Sequence, residues 1–392
     1  MKNDFDRVIN RSNTDSVKWG DAEKRFGHAD ILPMWVADMD FQAPAEVINK
    51  IIGRAEHGIY GYLNAQESFH DAVIDWVKKR NNWEIEKEWI VITPCVVTSI
   101  KNSVLSYTSP GDKVLIQTPV YPPFFSCIEE NNRKSVLNPL KLCDGRYEID
   151  FEDLEQKLKD DIKLMILCSP HNPIGRVWTK GELGKIDELC RKNNVLVLSD
   201  EIHSDIIYNG NKHTAFASLG KDTEENAIVF ISASKTFNIA GLATSISIIP
   251  NEQLRKKFKE TLSKNGADLM NIFGMVASEA AFRYGEEWLD KLVSYLQGNI
   301  DLLDSYLMER IPEIKLIKPE GTYLAWLDCS KLNVDMKHPE EFFIKQSKVW
   351  LNDGATFGTN GKGFQRMNIA CPRTILLEGL ARIEKSIRNG KG

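Results

Sequence analysis

Residues 226–250 read "NAIVFISASKTFNIAGLATSISIIP". "AIVFISAS" (227–234) is a continuous apolar, β-branched run, the pattern of a strand buried on both faces in a parallel sheet. "ATSISIIP" (243–250) is a second such run. Between them stands one lysine, Lys235, among small and apolar residues. A lysine just past a buried strand is either a surface residue where the chain emerges or a reactive amine held in a pocket. The rest of the chain has to decide.

Upstream the same rhythm repeats. "WIVIT" (89–93) leads into a helical stretch, and "DKVLIQTP" (112–119) follows the turn at Gly111. "IKLMILCSP" (162–170) precedes a helix around 179–193, and then comes "NVLVLSDE" (194–201). Strands alternating with helices predict an α/β fold: a three-layer, mostly parallel sheet with helices on both faces. From residue 286 the pattern changes to a long amphipathic helix over about 286–309. "IKLIKP", "GTYLAWLDCS", a helix near 338–348, "FQRMNIACP" and a last helix from 374 follow. This predicts a smaller α+β C-terminal domain. The expected division is 1–45, packing with the small domain; 46–285, the large domain; and 286–392, the small one.

Composition narrows the classes. The chain has 392 residues, 42% hydrophobic and 27% charged, with a net charge of -5. That leaves no electrostatic case for nucleic acid or a membrane surface. No run approaches the ~18 apolar residues of a membrane span, and "MKNDFDRVINRSNTDSVKW" lacks a signal peptide's apolar core. The seven cysteines (Cys95, Cys127, Cys143, Cys168, Cys190, Cys329 and Cys371) are spread out with no C-x-x-C pair. Free thiols in a cytoplasmic protein are expected, with neither a disulfide framework nor a zinc site.

Ligands of open α/β sheets bind beyond the carboxyl ends of the strands, and polar residues gather at those ends. "TPCVVTS" (93–99) passes from strand to helix, and N–H groups at such a helix start cradle phosphate. Tyr121 lies in the proline-stiffened "TPVYPPF", Asn172 in "CSPHNPIG", and Asp200 ends the apolar strand before "EIHSD". Ser232 and Ser234 flank Lys235, and Arg373 follows a strand in "NIACPR". Each has a plainer reading: Asn172-Pro173 as a turn, Asp200 as a helix cap. The acid–histidine cluster at 200–205 lacks the second histidine and helical spacing of a metal site. "GTNGKG" (358–363) follows no strand and is expected to be a mobile loop. Lysine amine, acid, aromatic face, phosphate cradle and arginine fit one chemistry together, that of pyridoxal phosphate.

The order "NPIG", "SDE", "SASKT" and a downstream "PR" resembles the fold-type I pyridoxal phosphate enzymes, the aspartate aminotransferase superfamily. "PMWVADMDF" (33–41), "YGY" (60–62), "SPHNPIGRVW" (169–178), "DEIHSD" (200–205) and "SKTFNIAGL" (234–242) resemble its MalY/PatB and cystalysin branch of cystathionine β-lyases. The resemblance implies Lys235 as the Schiff-base lysine and Cα base, and Asp200 as the partner of the pyridinium nitrogen. It implies Asn172 on the phenolic oxygen, Tyr121 stacked on the ring, and His203 near the cofactor. The N–H groups of Val96 and Val97, with Ser232, would hold the phosphate. Tyr62 would reach the phosphate of a second subunit, giving a homodimer with shared sites. Arg373 would grip the substrate carboxylate, with the backbone of Val36 or Ala37 closing on it. No metal is implied.

Many aminotransferases of this fold carry an arginine where Ala243 stands, and a tyrosine where His203 stands. Both departures fit the lyase branch. Cys95 departs from that branch, where glycine is usual, and an altered phosphate turn is expected. The implied activity is β-elimination from cystathionine, cysteine or S-conjugates to pyruvate, ammonia and a thiol. An aminotransferase of the same fold, and a catalytic scaffold that also binds a regulator, are the alternatives.

Overall fold

The computed structural model describes residues 4–27, 30–334, 338–339 and 341–389. The large sheet has seven strands: β1 (Ile90–Thr93), β2 (Lys113–Ile116), β3 (Lys134–Leu137), β4 (Ile162–Cys168), β5 (Leu196–Asp200), β6 (Ala227–Ile231) and β7 (Ser245–Ile248). Their order across the sheet is β1-β7-β6-β5-β4-β2-β3. Only β7 runs against its neighbours. The two runs flanking Lys235 are thus adjacent antiparallel strands, β6 and β7.

Alternation along β6 shows why its sequence is apolar throughout. Ala227, Val229 and Ile231 enter one core, while Ile228 and Phe230 enter the other. In β4, Met165 and Leu167 oppose Leu164 and Ile166 in the same way. One face is covered by α1 (Val96–Tyr107), which contributes Ile100 and Val104, and by the helix Glu252–Lys264, through Phe258 and Leu262. On the other face α2 (Lys180–Lys192) packs Leu183 and Ile186. Helix α2 starts in a capping box, with Thr179 and Glu182 exchanging side-chain and backbone bonds. The arrangement is the three-layer, mostly parallel α/β sheet read from the sequence.

Helix α3 (Glu286–Arg310) leads to a second, antiparallel sheet of β8 (Lys315–Ile317), β9 (Leu324–Asp328), β10 (Asn352–Asp353) and β11 (Phe364–Asn368), ordered β8-β9-β11-β10. The helix expected near 338–348 is a π-helical turn, Glu341–Gln346; Glu340 within that range lies outside the described residues. Near the N-terminus, Leu32–Pro33 pairs parallel with Val349–Trp350. No helix among the described residues is long and apolar enough to cross a membrane.

Two features differ from the reading. Residues 358–363 are not a loose loop. A Cβ on Gly361 would lie 2.1 Å from the Gly354 carbonyl oxygen, and Asn360 donates to the Thr118 carbonyl at 2.8 Å. Lys141–Cys143 and Arg146–Glu148 form a hairpin that the reading passed over. Its signal was present: Asp144 and Gly145 both take positive φ, as a two-residue Asp-Gly turn requires.

Candidate active site

Beyond the carboxyl ends of the large-sheet strands lies a cavity of about 220 Å³. Lys235, Asp200, Asn172, Tyr121, His203, Val96, Val97 and Ala37 all line it. Lys235 sits in a single helical turn, Ala233–Thr236, and its Nζ donates to the Ala37 carbonyl at 2.6 Å. Burial draws this amine down to about 8, against the pull of Asp38 and Asp200.

Asp200 ends β5, and one Oδ accepts from the Ile202 N–H at 3.2 Å. Burial pushes its carboxyl up to about 7, the mark of a buried acid short of a cationic partner. His203 is buried too, its imidazole held down to about 3, and its Nδ1 has no partner among the described residues. Tyr121 meets Phe124 edge to face, with centroids 6.0 Å apart.

At the start of α1, Cys95 caps the helix: its Sγ accepts from the Thr98 N–H at 3.4 Å, and its carbonyl accepts from Ser99 at 3.0 Å. The N–H groups of Val96 and Val97 are left without acceptors among the described residues. Two orphan donors at a helix start are an anion seat. The Cys95 backbone is extended, φ -161°, ψ 162°, a conformation open to any residue, so this position does not require glycine. Cys95→Gly should therefore change cofactor affinity by no more than about threefold, the few tenths of a kcal/mol that separate glycine from a side-chain cap. Titration of cofactor-free protein checks this, and a tenfold change in either direction would count against it.

Four residues fall elsewhere. Arg373 is not in the cavity: it opens the last helix (Arg373–Asn389), lies 4.1 Å over the Tyr295 ring and pairs with Asp6 at 3.5 Å. Ser232 does not line the cavity either. Its hydroxyl caps the Lys235 turn, accepting from Ser234 N–H and donating to the Thr244 carbonyl, while Ser234 and Thr244 themselves line the wall. Val36 is tied through its carbonyl to Asn368, so only Ala37 faces the site. Tyr62 is fully exposed and takes no part in the cavity of its own chain.

Arg366, not among the residues expected at the site, does not itself line the cavity but is bonded to Asn172, which does. It is buried in β11, and its guanidinium donates to Asn172 Oδ1 (3.1 Å), the Trp35 carbonyl (2.9 Å) and Asn352 Oδ1 (2.6 Å). Its charge also acts on Lys235, His203 and Tyr121. The signal was an arginine in the middle of the otherwise buried run "FQRMN", where an unpaired charge is rarely tolerated.

These groups fit pyridoxal phosphate. A buried amine, a buried acid short of a cation, an aromatic wall and two orphan N–H donors match its aldehyde, ring nitrogen, ring face and phosphate. Fold and site together define an α/β enzyme that works on amino acids with a lysine-held cofactor. The aminotransferase class I and II family matches residues 30–383, and the chain belongs to that family. It sits there with the PatB and MalY branch. It is 43% identical to cystathionine β-lyase PatB of Bacillus subtilis (strain 168), over 98% of this chain and 99% of that one. It is 34% identical to protein MalY of Escherichia coli (strain K12), over the same shares. The crystal structure of cystalysin from Treponema denticola, which contains pyridoxal 5'-phosphate, superposes with a TM-score of 0.97. Its identity is 37%, over 99% of this chain and 100% of that one.

Proposed function

We propose that this protein is a pyridoxal phosphate-dependent C–S β-lyase that releases a thiol, pyruvate and ammonia from cystathionine, cysteine or related S-conjugates. The observation that carries the reading is the convergence of Lys235, Asp200 and Asn172 in one cavity, with Arg366 bonded to Asn172. Lys235 would hold the cofactor aldehyde, Asp200 its ring nitrogen, Asn172 its phenolic oxygen and Tyr121 its ring face. Val96 and Val97 would hold the phosphate, with His203 packed against the site. Bound there, the cofactor supplies an electron sink for an amino acid losing its Cα proton.

Arg366, bonded to Asn172 on the cavity wall, would take the substrate carboxylate as a fork and so orient Cα. Lys235, with its amine drawn to about 8, is partly neutral near pH 7 and can accept the Cα proton. Asp200, whose carboxyl burial pushes up to about 7, would be held ionised by a protonated ring nitrogen beside it and would keep that end of the cavity negative. The C–S bond electrons leave on sulfur as a thiolate, and water converts the remaining aminoacrylate to pyruvate and ammonia.

Elimination is favoured over transamination by Ala243 and His203, which replace the arginine and tyrosine of many aminotransferases. L-Cystathionine alone should yield pyruvate, ammonia and homocysteine over many turnovers. A single turnover that resumes only when a keto acid is added would instead mark an aminotransferase.

A second copy of the chain is the proposed partner. Exposed Ile59, Tyr60, Tyr62 and Leu269 supply apolar surface for it, and Tyr62 would reach the neighbouring site. The proposed location is the cytoplasm, supported by seven cysteines that are all free. The division at residues 45 and 285 is supported by the pairing of Leu32–Pro33 with Val349–Trp350 and by the start of α3 at Glu286.

A further inference from the structure

Residues 35–41 form an irregular strap that belongs to neither of the two larger sheets. Buried carbonyls without a sheet need other donors. Here five consecutive carbonyls each receive one from a side chain. The Trp35 carbonyl accepts from Arg366 at 2.9 Å and that of Val36 from Asn368 at 2.7 Å. The Ala37 carbonyl accepts from Lys235 Nζ at 2.6 Å and from the Tyr323 hydroxyl at 3.0 Å. The Asp38 carbonyl accepts from Asn368 at 2.6 Å and from buried Lys18 at 3.2 Å. The Met39 carbonyl accepts from Asn238 at 3.0 Å.

The donors are not scattered. Asn368 lies two residues beyond Arg366 on β11, so both side chains leave the same face of that strand. Asn238 lies three residues beyond Lys235, and it also accepts from the Met39 N–H at 2.9 Å and donates to the Phe41 carbonyl at 2.7 Å. The strap is thus clamped by the segments that carry the amine and the guanidinium, while its far end is also held by Arg11, which donates to the Met39 carbonyl at 3.2 Å and pairs with Asp38 and Asp40, and by Lys18, which pairs with Asp40 at 2.7 Å.

We propose that Asn368 and Asn238 are positioning residues: by fixing the strap they hold the Ala37 carbonyl as the acceptor that places the Lys235 amine, once free of the cofactor, against a substrate gripped by Arg366. Neither asparagine touches the reacting atoms; both act through Ala37. A displacement of about 1 Å in such a constellation costs on the order of 100-fold in rate. The reading rests on the lyase assignment only for the choice of substrate.

The test uses holoenzyme carrying Asn368→Ala or Asn238→Ala, which release the strap from one segment or the other. Turnover of L-cystathionine should fall roughly 10- to 100-fold in kcat, with KM within about threefold, because Arg366 keeps Asn172 and Asn352. A second readout needs no turnover: exchange of Lys235 for hydroxylamine, followed by the visible band. There the hydroxylamine nitrogen takes over the double bond to the aldehyde carbon from Nζ, and its two protons pass to Nζ, which leaves as the free amine. This exchange should slow by a similar factor, with cofactor content and melting midpoint near those of the parent.

Unchanged kcat and exchange in both variants would overturn the proposal. So would a fall in kcat that tracks lost cofactor or a lowered melting midpoint while exchange per bound cofactor stays normal. If one variant does not fold, the other decides. A parent enzyme that fails to cleave any thioether overturns the lyase assignment instead, and the exchange measurement still judges the strap.

Discussion

Lys235→Ala is expected to lose turnover by at least ~10⁴-fold, the upper range for removing a general base, because the same side chain also carries the cofactor. The purified parent should be yellow, and borohydride should fix the cofactor on Lys235 alone; the variant should be labelled nowhere. Aldehyde capture needs the neutral amine. An ordinary lysine would offer little of it below pH 10, but burial draws this one to about 8. Capture by cofactor-free protein should therefore accelerate with rising pH and level off just above pH 8. Continued acceleration to pH 10, or label on another lysine, would remove Lys235 from the role.

The second large effect belongs to Arg366. Arg366→Leu deletes the only guanidinium among the described residues that bonds Asn172. Losing two charge-assisted bonds to a carboxylate costs about 3 kcal/mol, roughly 100-fold in KM or Kd for every α-amino acid. Colour should persist, since Lys235 and Asp200 remain. Arg373→Leu is the contrast: its partners are Tyr295 and Asp6, so substrate binding should stay within about twofold. The reverse pattern, with Arg373 critical and Arg366 dispensable, would contradict the geometry.

The places of the two arginines show what is legible in the sequence and what is not. Lys235, Asp200, Asn172 and Tyr121 lie at or just past the ends of apolar strands, where a polar residue interrupts a simple pattern and the fold predicts a ligand. Arg366 lies inside a strand of the smaller sheet, where period-two alternation hides which face it serves until the sheet is packed. Arg373 stands at an equally visible boundary and interrupts the pattern in the same way, yet it lies outside the cavity that the strand-end residues line. Ser232 shows a finer limit: its place beside Lys235 was legible, but whether its hydroxyl faces a ligand or caps its own turn depends on where the Thr244 carbonyl falls. The strap is recognisable in the sequence only as "PMWVADMDF", because most of the side chains that bond its carbonyls, Asn238, Asn368 and Arg366 among them, stand about 200 to 330 residues away.

That reach has a consequence for how the molecule is made. Chains emerge from the ribosome N-terminus first, and domains generally fold in that order. Here Leu32–Pro33 pairs with Val349–Trp350, and the strap just beyond it is pinned by Arg366 and Asn368. During synthesis the large sheet, complete by Ile248, can form with Lys235 and Asp200 in place while residues 32–41 still lack these partners. The first stretch of the site to be synthesised is therefore the last to be set, and a chain halted before Val349 would carry its lysine in a cavity missing one wall.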